Sequence, residues 1–268
     1  MCFDTDSMPP IFTQPVTSTR SKRMVLNSAD GSTFSAFFAQ PEQPSGAGII
    51  VLPDMRGLYP FYEQLAVRLA EQGHAAIAID YFGRTAGTGP RHADFLFMKH
   101  IFQVSRTNIG DDILAAISYL RKIDGAACHL LFALGFCFGG RQAFFASAAH
   151  FKLNGVIGFY GAPGVYPNGA AGPTQHAAEF SAPILAIFGG ADAGIPPSDV
   201  AAFDEALTSA AVPHEIITYP NAPHSFFDIK YREHAEACQE AWQRVLDFLN
   251  AKNLGAKDSF KIRPQPPV

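Results

Sequence analysis

A reactive side chain lies between closely spaced glycines at residues 135–139, which read Gly-Phe-Cys-Phe-Gly. A continuous apolar run precedes Cys137, and a segment compatible with a helix follows it. A nucleophile on a sharp turn from strand to helix needs small neighbours, because a Cβ there would collide with the backbone that doubles back. The pattern therefore predicts a strand, a tight turn that carries Cys137, and a helix, with cysteine where serine is more usual.

Strand-like and helix-like segments alternate along the chain. Two β-like runs flank a turn signal at residues 28–31 and predict an antiparallel hairpin at the start of the sheet. The later strands are continuously apolar, which indicates burial on both faces and hence a mostly parallel sheet with helices on both faces. The predicted strands are 23–27, 33–39, 47–52, 75–79, 129–134, 156–160, 184–188 and 215–219, and the predicted helices are 61–72, 112–121, 200–207 and 233–249. This doubly wound α/β architecture gathers active groups at the C-terminal ends of its strands.

The length of 268 residues fits one α/β domain, because no interior stretch has the composition of a linker. We expect a single domain over residues 1–268 with a core of about 23–250. The lead before the core and the proline-rich tail from Lys252 to Val268 are expected to be peripheral. The sequence leaves a monomer and a small homo-oligomer equally open.

Composition argues against several classes of partner and site. The chain has 20 Lys and Arg against 24 Asp and Glu and no basic run, so we expect no nucleic-acid partner. The longest apolar run, residues 130–138, is far shorter than the roughly 18 residues that a membrane-spanning helix needs. The histidines lack ligand spacing with a second donor, which argues against a metal site.

Two features point to a cytoplasmic protein. The four cysteines show neither the C-x-x-C spacing of a metal or redox site nor the density of a disulfide framework, so they are expected to be reduced. The N-terminus has acidic residues where a secretory leader has basic ones, and no apolar stretch follows. We therefore expect a cytoplasmic location.

Partners for a thiol nucleophile follow two later strands. Asp192 comes after the predicted strand 184–188, and His224 comes after 215–219. A thiol needs a base, and the base needs a group that fixes its tautomer and stabilises the imidazolium. The order Cys137, Asp192, His224 is the order of nucleophile, acid and histidine in α/β hydrolases.

Five motifs together resemble the dienelactone hydrolase family, cysteine-dependent hydrolases of the carboxymethylenebutenolidase type with an α/β-hydrolase fold. The resemblance covers roughly residues 23–250. The matching segments are GFCFGG at 135–140, the loop around Asp192 with its Gly-x-x-Asp-x-x-Ile-Pro pattern, His-Ser-Phe at 224–226, LPDMRG at 52–57 and IDYFGR at 79–84.

The resemblance implies a hydrolase of carboxylic esters or lactones that uses no cofactor. Cys137 would be the nucleophile, His224 the base and Asp192 its orienting acid. The oxyanion would be bound by the backbone N–H groups of Phe138 and Met55. Apart from the substrate, no partner is implied.

At three positions the resemblance bears on substrate binding. The family has glutamate in the early loop, thought to hold the resting thiol neutral, where this chain has Asp54; the alternative is a loop-capping carboxylate. Arg84 matches one carboxylate-binding arginine of the family, although it could instead pair with Asp80 at the surface. Asp228 replaces the second such arginine, so a carboxylated lactone would meet a negative charge at this position.

Phenylalanines adjoin the predicted catalytic positions and suggest an apolar pocket. Phe136 and Phe226 are expected to line it, and the alternative is that they fill the core. Residues 161–180, rich in Gly, Pro and Ala, are a candidate rim or lid. Two other functions remain open: a promiscuous short-chain carboxylesterase or thioesterase without a lactone role, and a non-catalytic small-molecule receptor on the same fold.

Overall fold

A computed structural model describes residues 3–4, 6–123, 127–166, 169–228 and 232–253, with side chains through residue 250. One eight-stranded sheet forms the centre of the molecule. Its strands are β1 (Thr19–Asn27), β2 (Thr33–Pro41), β3 (Ala47–Leu52), β4 (Ala75–Ile79), β5 (Leu130–Phe136), β6 (Gly155–Phe159), β7 (Ile184–Gly189) and β8 (His214–Tyr219). They lie in the order β1-β2-β4-β3-β5-β6-β7-β8.

Seven α-helices occur within the described ranges, and short 3-10 turns accompany them. They are α1 (Pro60–Glu71), α2 (Gly83–Ala86), α3 (Met98–Ile101), α4 (Arg106–Arg121), α5 (Phe138–Phe145), α6 (Pro197–Ser209) and α7 (Ala235–Asn253). None of these described helices has the combined length and apolar character that crossing a bilayer requires.

Pairing in the sheet follows the burial pattern of the strands. β1 pairs antiparallel with β2, and β2 pairs antiparallel with β4, whereas every pair from β4 to β8 is parallel. β3 to β7 are buried along their whole length, apart from the first residue of β5. Parallel crossovers are right-handed, so the direction of a crossover within the sheet determines which face its helix covers. The crossover through α1 runs toward β1, whereas those through α4, α5 and α6 run toward β8. α1 therefore lies on the face opposite to α4, α5 and α6. The C-terminal ends of β3, β5, β7 and β8 therefore meet at one edge, where the predicted site loops begin.

The predicted α/β-hydrolase architecture, including the N-terminal antiparallel hairpin, is confirmed. Element boundaries differ in places. The helix expected at Asp112 begins at Arg106, because Ser105 caps it by accepting a hydrogen bond from the Asn108 N–H at 3.1 Å. The final helix runs to Asn253, and the rest of the predicted tail lies outside the described residues.

The N-terminal lead differs most from the expectation that it is peripheral. Phe3 is only 1% exposed, and the Trp242 indole N–H donates to Thr13 Oγ1 at 3.1 Å. The Val16 N–H donates to the Glu71 carbonyl at 2.9 Å. The lead therefore packs against α1 and α7. No local pattern predicts this packing, because these contacts join residues far apart along the chain.

Candidate active site

Cys137 lies on a strained turn between β5 and α5. Its backbone has φ 54° and ψ −114°, in a region that residues with a Cβ rarely adopt. A Cβ on Gly135 would lie 2.0 Å from the Gly139 carbonyl oxygen, and one on Gly139 would lie 2.1 Å from the Leu52 carbonyl oxygen. The glycines are therefore required by close backbone approach, and the turn lifts the half-buried thiol to the N-terminus of α5.

Asp192 and His224 meet in the loops after β7 and β8. His224 Nδ1 lies 2.6 Å from Asp192 Oδ2, and Asp192 Oδ1 accepts the Gly194 N–H at 2.8 Å. Asp192 is 7% exposed. Both carboxylate oxygens thus have a donor, which fixes the orientation of the carboxylate and, through it, of the imidazole.

The pKa values of the pair reflect this contact. Burial lowers the pKa of His224, but hydrogen bonds to Asp192 and Cys137, together with the negative charge of both groups, outweigh burial and raise it from 6.5 to about 9. Burial raises the pKa of Asp192, but the hydrogen bond and charge of His224 bring it below its usual 3.8. Since Nδ1 faces Asp192, Nε2 is the nitrogen left for the sulfur. The structure therefore brings the three sequence-predicted groups together as thiol, imidazole and carboxylate.

Met55 and Phe138 line one cavity of about 600 Å³. Phe138 opens α5 and Met55 follows β3, as the sequence analysis expected. The wall is mainly apolar, and its polar members are Arg106, Gln142, Tyr166 and His176. The cavity is further lined by Ile101, Phe102, Val104, Ile109, Phe145, Ala170 and Ala171. Part of the predicted rim, residues 161–180, thus forms one side of a cavity large enough for a small ester.

Asp54 is engaged by a neighbouring arginine. Its Oδ2 lies 2.8 Å from Arg56 Nη2, and its Oδ1 accepts the Arg56 backbone N–H at 2.8 Å. The Asp54 N–H donates to the Tyr62 hydroxyl at 2.9 Å. Asp54 is 1% exposed, so this network fixes the early loop in a buried setting. These contacts correspond to the loop-capping alternative, and a gating role for Asp54 stays a prediction.

Arg84 lies in an ion-pair cluster beside the N-terminal hairpin. Its Nη1 and Nη2 contact the Asp112 carboxylate at 2.8 and 3.0 Å, and its Nε donates to Asp30 at 2.8 Å. Nη2 also donates to Ser28 Oγ at 2.9 Å. Asp80, the partner suggested by sequence, instead binds Arg91 at 2.7 Å. All three guanidinium nitrogens of Arg84 therefore have acceptors within the fold.

Phe136 and Phe226 lie in the core instead of on the cavity wall. Both are fully buried, and Phe136 stacks on Phe159 with ring centroids 4.8 Å apart. Phe226 packs 5.3 Å from the Tyr219 ring. Because a residue just before the turn completes β5, its side chain packs within the sheet layer, whereas Phe138 after the turn faces the cavity. The burial of Phe136 and Phe226 corresponds to the alternative that these rings fill the core.

Sequence reasoning missed Arg141, one helical turn after the nucleophile. Its Nη1 donates to the carbonyls of Ala162 and Gly164, both at 2.6 Å, and its guanidinium lies 3.7 Å from the centre of the Tyr166 ring. Arg141 is 2% exposed, and burial lowers its pKa. The sequence signal that could have identified Arg141 is its position four residues after Cys137. Its carbonyl partners lie more than twenty residues further along the chain, where no local pattern indicates them. Arg141 links the turn to the cavity rim.

No set of three or more His, Cys, Asp or Glu side chains in the described ranges is arranged to hold a metal ion. Cys128 and Cys238 are buried and form no disulfide, and burial raises the pKa values of their thiols to about 11 and about 12. Cys2 lies outside the described residues. Cys137 is therefore the half-buried thiol among the three described cysteines.

The chain is similar to proteins of known families over most of its length. A family model described as the dienelactone hydrolase family matches residues 34–253. A carboxymethylenebutenolidase of Rhodococcus opacus is 32% identical over 227 residues, which cover 78% of this chain and 83% of that protein.

Solved structures agree with the observed fold. A structure from Klebsiella pneumoniae, described as a "Putative Dienelactone Hydrolase", superposes with a TM-score of 0.76 at 27% identity, covering 87% of this chain and 99% of that one. An esterase of Pyrococcus furiosus has a TM-score of 0.64 at 14% identity over 91% of this chain and 97% of its own, a likeness of fold alone. This chain therefore belongs to the dienelactone hydrolase family and, with that family, to the carboxylic ester hydrolases.

Proposed function

We propose that this protein hydrolyses carboxylic esters or lactones through a thioester acyl-enzyme on Cys137. The observation that carries the proposal is the continuous contact of Cys137 with His224 and of His224 with Asp192, the last at 2.6 Å. A thiol alone is a weak nucleophile at its ordinary pKa, and an adjacent imidazole held by a carboxylate is the usual means of activating it.

In the first half of the reaction, the Cys137 sulfur attacks the acyl carbon, and its proton resides on His224. The carbonyl oxygen becomes an oxyanion that the N–H groups of Phe138 and Met55 bind. When the C–O bond breaks, the His224 imidazolium protonates the leaving alkoxide. In a lactone, that alkoxide remains covalently attached to the acyl group.

In the second half of the reaction, a water molecule is the nucleophile in place of the thiol. His224 takes a proton from the water, which attacks the thioester carbon. The C–S bond then breaks, the acid product leaves, and the proton on His224 is shared again with the Cys137 sulfur. Asp192 keeps the Nδ1 proton in place throughout and stabilises the imidazolium. The raised pKa of His224, about 9, suits the acid step of the first half.

Among the substrates that this proposal allows, neutral apolar esters are favoured over carboxylated lactones. The two positions to which the resemblance assigns carboxylate recognition provide no available cation: Arg84 is bound by Asp30 and Asp112, and the other position is Asp228, which is buried. The cavity wall is mainly apolar, with the exposed Arg106 at its edge. A side-by-side assay of a neutral ester and a carboxylated enol-lactone separates the two classes.

Substitution of the nucleophile tests the proposal. Cys137→Ala is expected to abolish hydrolysis of p-nitrophenyl acetate, and Cys137→Ser is expected to retain a small fraction because the base and the N–H donors remain. The buried Cys128→Ala provides a matched control that removes a thiol elsewhere. Turnover by Cys137→Ala at the wild-type rate would rule the mechanism out. Membership of a family of hydrolases speaks against the non-catalytic receptor.

A further inference from the structure

The N-terminal lead packs against residues that adjoin the candidate site. Phe3 is almost fully buried, and its ring stacks on Phe61 with centroids 3.9 Å apart. The same ring lies 6.2 Å from Tyr62, 6.2 Å from Phe136 and 6.3 Å from Tyr160. These distances are typical of aromatic packing. Phe3 therefore completes an aromatic cluster that is formed from four separate parts of the chain.

Three members of this cluster each adjoin a different catalytic group. The Tyr62 hydroxyl accepts the N–H of Asp54, which directly precedes Met55 and its oxyanion-binding N–H. Phe136 directly precedes Cys137. The Tyr160 ring lies 4.9 Å from the His224 imidazole. One side chain from the lead thus supports the neighbours of the oxyanion loop, the nucleophile and the base.

A polar contact fastens the lead to the histidine loop. Ser7 Oγ donates to Asp228 Oδ2, and both residues are about 2% exposed. The Asp228 N–H donates to the Phe226 carbonyl at 2.8 Å, two residues beyond His224. Ser7 thus provides a hydroxyl to a buried carboxylate of the histidine loop. Both Phe3 and Ser7 precede residue 34, where the family match begins.

We propose that Phe3 and Ser7 of the lead are positioning residues of the active site, which act through the aromatic cluster and the histidine loop. Neither residue touches substrate. The proposal rests on the proposed function for the identity of the reacting groups. Its physical basis is that displacements of about 1 Å at reacting atoms cost on the order of 10²-fold in rate, so support behind the site affects turnover directly.

The experiment compares Phe3→Ala, the conservative Phe3→Leu and Ser7→Ala with controls of the same chemistry elsewhere. Phe248→Ala removes a buried ring that packs 6.2 Å from Phe132 in β5, and Ser147→Ala removes a buried hydroxyl that donates to the Ala182 carbonyl at 2.7 Å. Each variant is assayed for kcat and KM with p-nitrophenyl acetate. Alkylation of Cys137 by iodoacetamide is followed across pH by peptide-resolved mass spectrometry, and Tm is recorded.

Phe3→Ala is expected to lower kcat by about 10- to 100-fold and to shift the pH profile of Cys137 alkylation, with most of the loss recovered in Phe3→Leu. Ser7→Ala is expected to lower kcat by a smaller factor. Phe248→Ala and Ser147→Ala are expected to lower Tm while kcat and the alkylation profile stay as in the wild type.

If a folded Phe3→Ala changes only Tm, as the controls do, the positioning role is overturned. If Phe3→Ala does not fold, a Ser7→Ala variant that changes only Tm overturns it. That outcome is distinct from failure of the proposed function, which would appear as full turnover in Cys137→Ala. The alkylation profile needs no substrate, so it tests the positioning role even if the chosen ester is a poor one.

Discussion

Two buried aspartates, in the early loop and in the loop after β7, have similar settings and different partners. Asp54 follows β3 and Asp192 follows β7, both at the C-terminal edge of the sheet. Each accepts from a backbone N–H two residues ahead, Arg56 for the former and Gly194 for the latter. The remaining contact differs: Asp54 pairs with the Arg56 guanidinium, and Asp192 pairs with the His224 imidazole.

The difference separates a static pair from one that the proposed mechanism makes reactive. A guanidinium keeps its charge at all ordinary pH values, so the Asp54–Arg56 pair holds the loop and its N–H donor but transfers no proton. An imidazole exchanges its proton near neutrality, and His224 also contacts the sulfur. Burial of a carboxylate is therefore not enough to identify an acid of a catalytic site; the identity of its partner decides.

Breaking the reactive pair has the largest expected effect on turnover. Asp192→Asn keeps the shape of the side chain but lets an amide present its NH₂ group to Nδ1, which favours the wrong tautomer of His224. We expect kcat to fall by about 10²- to 10⁴-fold with a smaller change in KM, measured with p-nitrophenyl acetate. A loss of less than a few fold would mean that Asp192 does not orient the base.

Breaking the static pair is expected to affect folding more than chemistry. Asp54→Asn leaves the Arg56 charge buried without its carboxylate, and loss of one partner of a buried pair costs about 3–5 kcal/mol. We expect a drop of that order in the free energy of unfolding, measured in urea, with kcat reduced less than tenfold.

The double variant Asp54→Asn with Arg56→Gln sharpens this prediction. It removes both charges and should recover part of the lost stability, because the buried charge that lost its carboxylate is gone. If Asp54→Asn instead abolished turnover at unchanged stability, the static assignment would be contradicted and a gating role would gain support.

The pH dependence of stability distinguishes the two pairs, because only the Asp192–His224 pair contains a group that loses its charge at moderately alkaline pH. The pKa of His224 is raised from 6.5 to about 9 in the folded state. Its contribution to the free energy of unfolding is therefore fully present below pH 6.5 and is lost as pH rises through about 9. The lowered pKa of Asp192 makes its contribution present above 3.8 and lost as pH falls through its folded value.

The stability gap between wild type and Asp192→Asn should therefore be widest between pH 3.8 and 6.5 and should shrink above about 9. The gap for Asp54→Asn should not shrink over that alkaline range, because Arg56 stays charged. Denaturant titrations at several pH values measure both gaps. Parallel curves for the two variants would contradict the distinction between the pairs.

The smallest expected effect on turnover is that of substituting Arg84, which, like Arg56, is held in ion pairs with carboxylates of the fold. Arg84→Met removes the partner of the buried Asp112, so stability should fall. The ratio of kcat/KM for a neutral ester to that for a carboxylated enol-lactone should stay within about twofold of the wild type. The reason is that the contacts of Arg84 are with Asp30, Asp112 and Ser28 of the fold. A ratio that moved tenfold or more would restore Arg84 as a carboxylate-binding residue.

The parts of the site that sequence could predict are those that local signals encode. The glycines around Cys137 announce a tight turn, and continuous apolar runs mark the buried strands whose ends carry Asp192 and His224. The fold followed from the alternation of these runs. Where a single loop and its flanking strand determine a position, the expectation and the structure agree.

The rest depends on contacts between distant residues that no local pattern encodes. Arg84 finds Asp112 and Asp30 at separations of 28 and 54 residues, in place of the nearby Asp80. Phe136 packs in the core against Phe159, and Phe226 packs there against Tyr219. Phe3 reaches Phe136 from the N-terminal lead. Arg141 meets the rim more than twenty residues away. These placements are decided by tertiary packing, which a single sequence shows only after folding.

The most direct test of the central claim is to trap the acyl group on the sulfur. Wild-type protein is mixed with p-nitrophenyl acetate, quenched in acid within the first turnovers, digested and mapped by mass spectrometry. The account predicts an acetyl group on Cys137 that hydroxylamine removes and that Asp192→Asn accumulates more slowly. Turnover of the ester with the acetyl group on a different residue, or with Cys137 unmodified throughout, would contradict it.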